Sequence, residues 1–246
     1  MTITDPTGAT FDEAVRTHLA TVAEHNASAV HDVAELLLAC VRADGTVLSA
    51  GAGHSLAAVA ETFYRAGGLA CVRPLYHPDL LPLHGAVSST KAERRSGLAA
   101  EVLGPDPLGE RDVLVVFSTS GVNPYPVELA GLVRAAGRPV VAVTSTPSSS
   151  VAPRRSDSTL AEQATVILDT LVPPGDATYP PDAPVAAPIS TVANAFLWNL
   201  VLVRLIDLGA EQGVALPLWR SSNVPGGDAA NTDLLAHYTP RIPALG

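Results

Sequence analysis

Between an apolar run at 113–117 (Val-Leu-Val-Val-Phe) and a helical pattern opening at Pro124 stand Ser118, Thr119, Ser120, Gly121, Val122 and Asn123. Three consecutive hydroxyls at the exit of a buried strand are poorly explained by packing. A strand, a turn and a helix start bring unpaired backbone N–H groups and a positive dipole end to one point, which favours an anion, most often phosphate. The chain carries this design twice. Residues 46–50 (Thr-Val-Leu-Ser-Ala) read as a strand, Gly51-Ala52-Gly53-His54-Ser55 as a glycine turn, and Leu56, Ala60, Phe63 and Gly67 as one face of a following helix. The glycines do not make a dinucleotide fingerprint. The third would fall at position 56, which is Leu56, and Leu75 and Tyr76 at the end of the next strand supply no acid. The two loops suit a single phosphate gripped from two sides, with Gly53, His54, Ser55, Ser118, Thr119, Ser120 and Asn123 as contact residues. Capping and tight-turn geometry would account for the same residue types without a ligand.

On these residues the chain resembles the sugar isomerase (SIS) domain family, whose members bind phosphosugars. The resemblance rests on Gly51-Ala-Gly-His-Ser55 and Ser118-Thr-Ser-Gly-Val-Asn123. Phe63-Tyr-Arg-Ala-Gly-Gly-Leu69, Lys91-Ala-Glu-Arg94 and Ser221-Ser-Asn-Val-Pro-Gly-Gly-Asp228 resemble a stand-alone bacterial branch of that family. The resemblance implies phosphosugar binding with aldose–ketose isomerisation. An amino-sugar-phosphate lyase or etherase, and a non-catalytic phosphosugar sensor, are the alternatives. It also implies that the first helical segment helps to form a homodimer or higher homo-oligomer. Asn123 replaces the serine or threonine of many SIS domains. The last long helix carries Asn194 and Asn199 where some SIS isomerases place a catalytic histidine, a departure from the phosphoheptose isomerase pattern.

Isomerisation needs the ring opened, a proton moved between neighbouring carbons, an enediolate stabilised and the phosphate anchored. A carboxylate is the usual shuttle, and a histidine can assist ring opening. Glu61 lies on the helix that starts at the first loop; its competing role is an ion pair with Arg65 in the favourable i, i+4 order. Glu93 lies in a polar connection among Lys91, Arg94 and Arg95, where a solvated helix surface is the competing role. His84 precedes Gly85 in the same connection and is the candidate for ring opening. No His and carboxylate pair has metal-ligand spacing, so neither a metal nor a cofactor is expected.

The elements that must position these groups follow from pattern. Residues 11–43 are helical, with a break at Asn26-Ala27-Ser28. Strands are expected at 46–50, 70–75, 113–117, 138–144 and 164–168, which gives an α/β three-layer sandwich around a mostly parallel five-stranded sheet, flavodoxin-like by the SIS resemblance. The long connection 76–97 reads as functional. Residues 172–188, with many prolines, can be neither a helix nor a central strand. Ser190 and Thr191 are expected to cap an apolar helix running to Leu208, and 216–246 reads as a loop-rich tail. The expected organisation is a helical segment at 1–45, a phosphosugar-binding domain at 46–215 and a tail at 216–246.

Bulk properties bound the partners. With 47% hydrophobic and 16% charged residues, 246 residues suffice for a large core. A net charge of −9 argues against nucleic acid, whose backbone is held by clustered Lys and Arg. Cys40 and Cys71 read as buried free thiols in a reducing compartment. The start lacks the regions of a signal peptide, and the apolar stretch 195–206 is too short to span a bilayer. No membrane association is expected, and a cytoplasmic location is.

Overall fold

The computed structural model describes residues 11–246; the first ten, part of the stretch read above for a signal sequence, lie outside the described residues. Two helices open the fold, α1 (Phe11–His25) and α2 (Ala27–Arg42). Asn26 separates them at the expected place. Its side-chain nitrogen donates to the carbonyls of Val22 (2.7 Å) and Asp169 (2.8 Å), and its oxygen accepts from the Asp169 N–H (2.7 Å).

Five strands form the sheet: β1 (Val47–Gly51), β2 (Val72–Leu75), β3 (Val113–Phe117), β4 (Val140–Thr144) and β5 (Val166–Asp169). They are all parallel, in the order β2-β1-β3-β4-β5. β1, β3 and β4 are buried along their whole length, as expected of parallel strands covered on both faces. One face is covered by α2, by α3 (Leu56–Thr62) and by α9 (Ser190–Glu211), with α1 packed on α9. The other carries α6 (Pro124–Ala135) and α8 (Leu160–Gln163), with α4 (Ala86–Glu93) and α5 (Leu98–Leu103) packed against α6. α7 (Thr146–Val151) follows β4 directly. The architecture is the three-layer sandwich expected from the pattern. Phe117, Tyr125, Leu37 and Leu114 are among the large side chains sealed in its core.

Three segments differ from their sequence reading, and the proline-rich one, neither a helix nor a central strand, keeps to it. α3 stops at Thr62 rather than reaching Gly67. The Thr62 hydroxyl donates to Val59 O (2.7 Å) and lies 2.8 Å from Ser49 Oγ, and the chain then turns away with Tyr64 at φ 43°. The connection 76–97 contains α4, preceded by short turns at Pro78–Leu80 and Pro82–His84. The proline-rich segment forms a small antiparallel ribbon, β6 (Ala177–Tyr179) with β7 (Ala186–Pro188), apart from the main sheet. The tail holds α10 (Gly227–Tyr238), anchored by buried Asn231, Tyr238 and Ile242. Asn231 exchanges two hydrogen bonds with the Arg220 backbone, a tertiary contact that no local pattern announces.

α9 is long and apolar enough to cross a membrane by length and composition, but half of its apolar window is buried inside the fold, as befits a core helix.

Candidate functional site

In an open parallel sheet, ligands bind beyond the carboxyl ends of the strands, where the strand order reverses. Here the reversal lies between β1, whose connection runs outward to β2, and β3, whose connection runs the other way to β4. Gly51 is aligned with Phe117 across that pair, so the loops that follow leave the sheet side by side at one level. These are the two hydroxyl loops singled out in the sequence.

Glycine makes both loops possible. A Cβ on Gly51 would stand 3.0 Å from the Ser55 carbonyl, so any side chain there would crowd the turn Gly53–Ser55 where it folds back over the strand end. Gly121 takes φ 60°, and a Cβ there would also press on Thr144 and Leu160. The second loop is tied from its flanks. Thr119 O accepts from the Ser145 N–H (3.0 Å) and the Thr144 hydroxyl (3.3 Å), and Gly121 O accepts from the Leu160 N–H (2.8 Å).

The loops open onto one cavity of about 470 Å³. Of the candidate contact residues, His54, Ser55, Ser118, Thr119, Ser120 and Asn123 line it, and Glu93 joins them from the end of α4. Gly53 precedes the lining as the pivot of the first loop. α4 packs over the turn Gly53–Ser55, so Glu93 faces the loops from the same chain. Glu61 and His84 are not in the lining. Glu61 sits in the last turn of α3 and accepts from Arg65 at 2.6 Å across the helix end, while exposed His84 stands edge-on to Tyr76 with ring centres 6.5 Å apart.

The polar groups on the cavity are biased toward donation. Ser118 Oγ accepts from the Gly121 N–H (3.2 Å), which leaves its own hydrogen to give. Asn123 Oδ1 accepts from Arg155 (3.1 Å), which leaves the amide nitrogen as the cavity-side donor. The hydroxyls of Ser55 and Ser120 and the Glu93 carboxylate have no hydrogen-bond or ion-pair partner among the described residues.

Ser148, Asp176 and Ser190, which were not among the candidate contact residues, complete the lining with Val151, Ala152, Pro153, Pro174 and Gly175. Asp176, not Ser190 or Thr191, caps α9. Its carboxylate accepts from the N–H groups of Ile189 (3.0 Å) and Ser190 (2.8 Å) and from the Ser190 hydroxyl (2.6 Å). It does so from a left-handed backbone at φ 65°, in a turn closed by the Asp176 N–H to Pro173 O. The Pro-Pro-Gly-Asp run was the available signal for that turn. Ser145 and Ser148 donate to Val172 O, at 2.6 and 2.9 Å, and hold the segment over the site.

A larger cavity, of about 550 Å³, lies at the opposite, amino-terminal edge of the strands, lined by Asp44, Arg73, Arg111 and Asp112 among others. It receives carbonyl ends rather than N–H ends of the covering helices, so it is the wrong end of the sheet for a phosphate. Among the described residues no group of three or more His, Cys, Asp or Glu is placed to hold a metal ion.

The profile of the SIS domain matches residues 10–145. A UPF0309 protein of Geobacillus kaustophilus is 33% identical over 239 residues, which is 96% of this chain and 95% of that one. A UPF0309 protein of Streptomyces coelicolor is 37% identical over 246 residues, with 96% of each chain covered. A phosphoheptose isomerase of Neisseria gonorrhoeae superposes with a TM-score of 0.49 at 20% identity, covering 78% of this chain and 93% of its own.

Proposed function

The chain belongs to the SIS domain family, and from that premise we propose that the cavity at the switch point binds a phosphorylated sugar and isomerises it between aldose and ketose forms. The observation that carries this reading is the convergence of two donor-rich loops and one unpaired carboxylate on a single cavity. The phosphate sits against Ser55, Ser118, Ser120 and Asn123 and the N–H groups around Thr119, all of which can donate to it. The sugar then extends toward α4. Glu93 takes the proton from the carbon next to the carbonyl and returns it to the neighbouring carbon, passing through an enediolate. His54, the histidine in the lining, assists ring opening. The paired state of Glu61 favours Glu93 for the shuttle.

The assembly belongs to the same reading. Leu83 and Val87 are 89% and 70% exposed beside α4, and Val192, Val203 and Ile206 are exposed along α9. Apolar surface of this kind supports a homodimer. We place the protein in the cytoplasm, where phosphosugars are made and consumed, with no nucleic-acid or membrane partner.

The test is a thermal-shift screen over aldose, ketose and amino-sugar phosphates, followed by exchange of the substrate C2 proton with deuterated water. Glu93→Gln should bind the sugar phosphate and lose exchange by roughly a hundredfold or more, whereas Glu61→Gln should keep it. Exchange lost in Glu61→Gln alone would move the shuttle to Glu61. Binding without exchange in the unmodified protein would make it a sensor, and failure of every phosphosugar to bind would end the reading.

A further inference from the structure

The cavity lining holds two acids, Glu93 and Asp176, one histidine, and no lysine or arginine. A phosphate dianion placed there adds its charge to two carboxylates, and hydroxyl and amide donors carry no net charge to offset it. A cation that touches a lining residue is Arg155, four residues beyond α7, in the segment whose Val151, Ala152 and Pro153 form one wall. Its guanidinium gives one N–H to Asn123 Oδ1 at 3.1 Å and has no other partner among the described residues. The adjacent Arg154 is engaged differently, 3.1 Å from Glu162.

We propose that Arg155 is the phosphate cation of this site: it fixes the Asn123 amide with one donor and delivers its remaining donors and its charge to the ligand phosphate. The proposal rests on the phosphosugar reading. A guanidinium has five N–H donors in a rigid fork, so serving Asn123 leaves a face free for phosphate oxygens. Holding Asn123 by its oxygen also stops the amide from flipping and presenting an acceptor to the anion. The wall carries a sign of incompleteness at this point. Ser156 Oγ, one residue on, is buried without any hydrogen-bond partner, so this arrangement of the segment leaves a polar group unpaid that a small shift on ligand binding can satisfy. Arg155 itself is exposed and can move without breaking the core.

The lining carries Glu93, Asp176 and His54, and the segment beside Arg155 carries Asp157 and Arg154, the latter paired with Glu162. The test uses salt, which reads the charge of Arg155 directly. Calorimetry at pH 8 with glucose 6-phosphate, ribose 5-phosphate and inorganic phosphate compares the unmodified protein with Arg155→Lys, Arg155→Gln and Arg155→Ala. Gln retains a neutral donor for Asn123, and Lys retains the charge. Arg155→Lys should stay within a few-fold of the unmodified protein, while Gln and Ala should weaken phosphate-bearing probes by about tenfold or more and flatten the dependence of affinity on salt. A Gln variant that binds as tightly as the unmodified protein, or a Lys variant as weak as Gln, would overturn the proposal while leaving the phosphosugar reading intact. Failure of the unmodified protein to bind any probe would remove both.

Discussion

The two hydroxyls of the second loop separate folding from binding. Ser118 is buried, and its Oγ satisfies the buried Gly121 N–H; Ser120 is half-buried with no partner among the described residues. Ser118→Ala leaves an N–H without an acceptor in a closed environment, a cost of about 1–3 kcal/mol in stability. Ser120→Ala removes nothing the fold uses, so its melting temperature should match that of the unmodified protein. In binding the two should behave alike. A hydrogen bond to a charged acceptor contributes roughly 1.5–3 kcal/mol, so each variant should raise the Kd of a phosphosugar by roughly ten- to a hundredfold. The double variant should fall short of the product of the two, because both hydroxyls serve one phosphate. Calorimetric titration with a phosphosugar and with the parent sugar, alongside thermal unfolding, reads all of these quantities. The parent sugar should be held equally by every variant. Equal weakening of both ligands would show that the loop does not hold phosphate. Loss of stability in Ser120→Ala matching that in Ser118→Ala would refute the hydrogen-bond argument itself.

Other outcomes follow from the same structure. Asn26→Ala removes the partner of the Asp169 N–H and C=O in a buried setting and should cost about 3 kcal/mol in urea unfolding, with no change in ligand affinity at saturating stability. Partial burial would raise the Asp44 carboxyl, but hydrogen bonds from His237 and Arg241 outweigh it and hold the group below its ordinary 3.8. That contribution is present above pH 3.8 and lost as pH falls through the lower folded value, so Asp44→Asn should melt lower at pH 7 and show a shallower decline in acid. Light scattering at micromolar concentration should give a mass near twice 25.3 kDa, and Leu83→Glu with Val87→Glu should shift it toward one copy; a monomer in the unmodified protein would reject the dimer.

The sheet and the two loops were legible because their signals are local. A run such as Val113 to Phe117 reads as a buried strand wherever it sits, and Ser118 to Asn123 follow directly. What was not legible depends on partners far along the chain. Glu61 and Glu93 looked alike in sequence, and only the packing of α4 over the first loop sets one on the cavity and leaves the other on Arg65. The early end of α3 depends on Ser49, a residue of the neighbouring strand. Asp176 was hidden because a cap fourteen residues before its helix has no spacing rule.

The alignment of Gly51 with Phe117 also divides the site by inheritance. The two hydroxyl loops leave strands paired within the sheet, whereas the other walls of the cavity come from α4 and from the turn at Pro173–Asp176, excursions that the sheet does not need for its register. On the proposed phosphosugar reading, the anchor and the sugar-facing walls are therefore separable parts, and grafting residues 76–97 from one relative to another should change which sugar is accepted while the phosphate grip is kept.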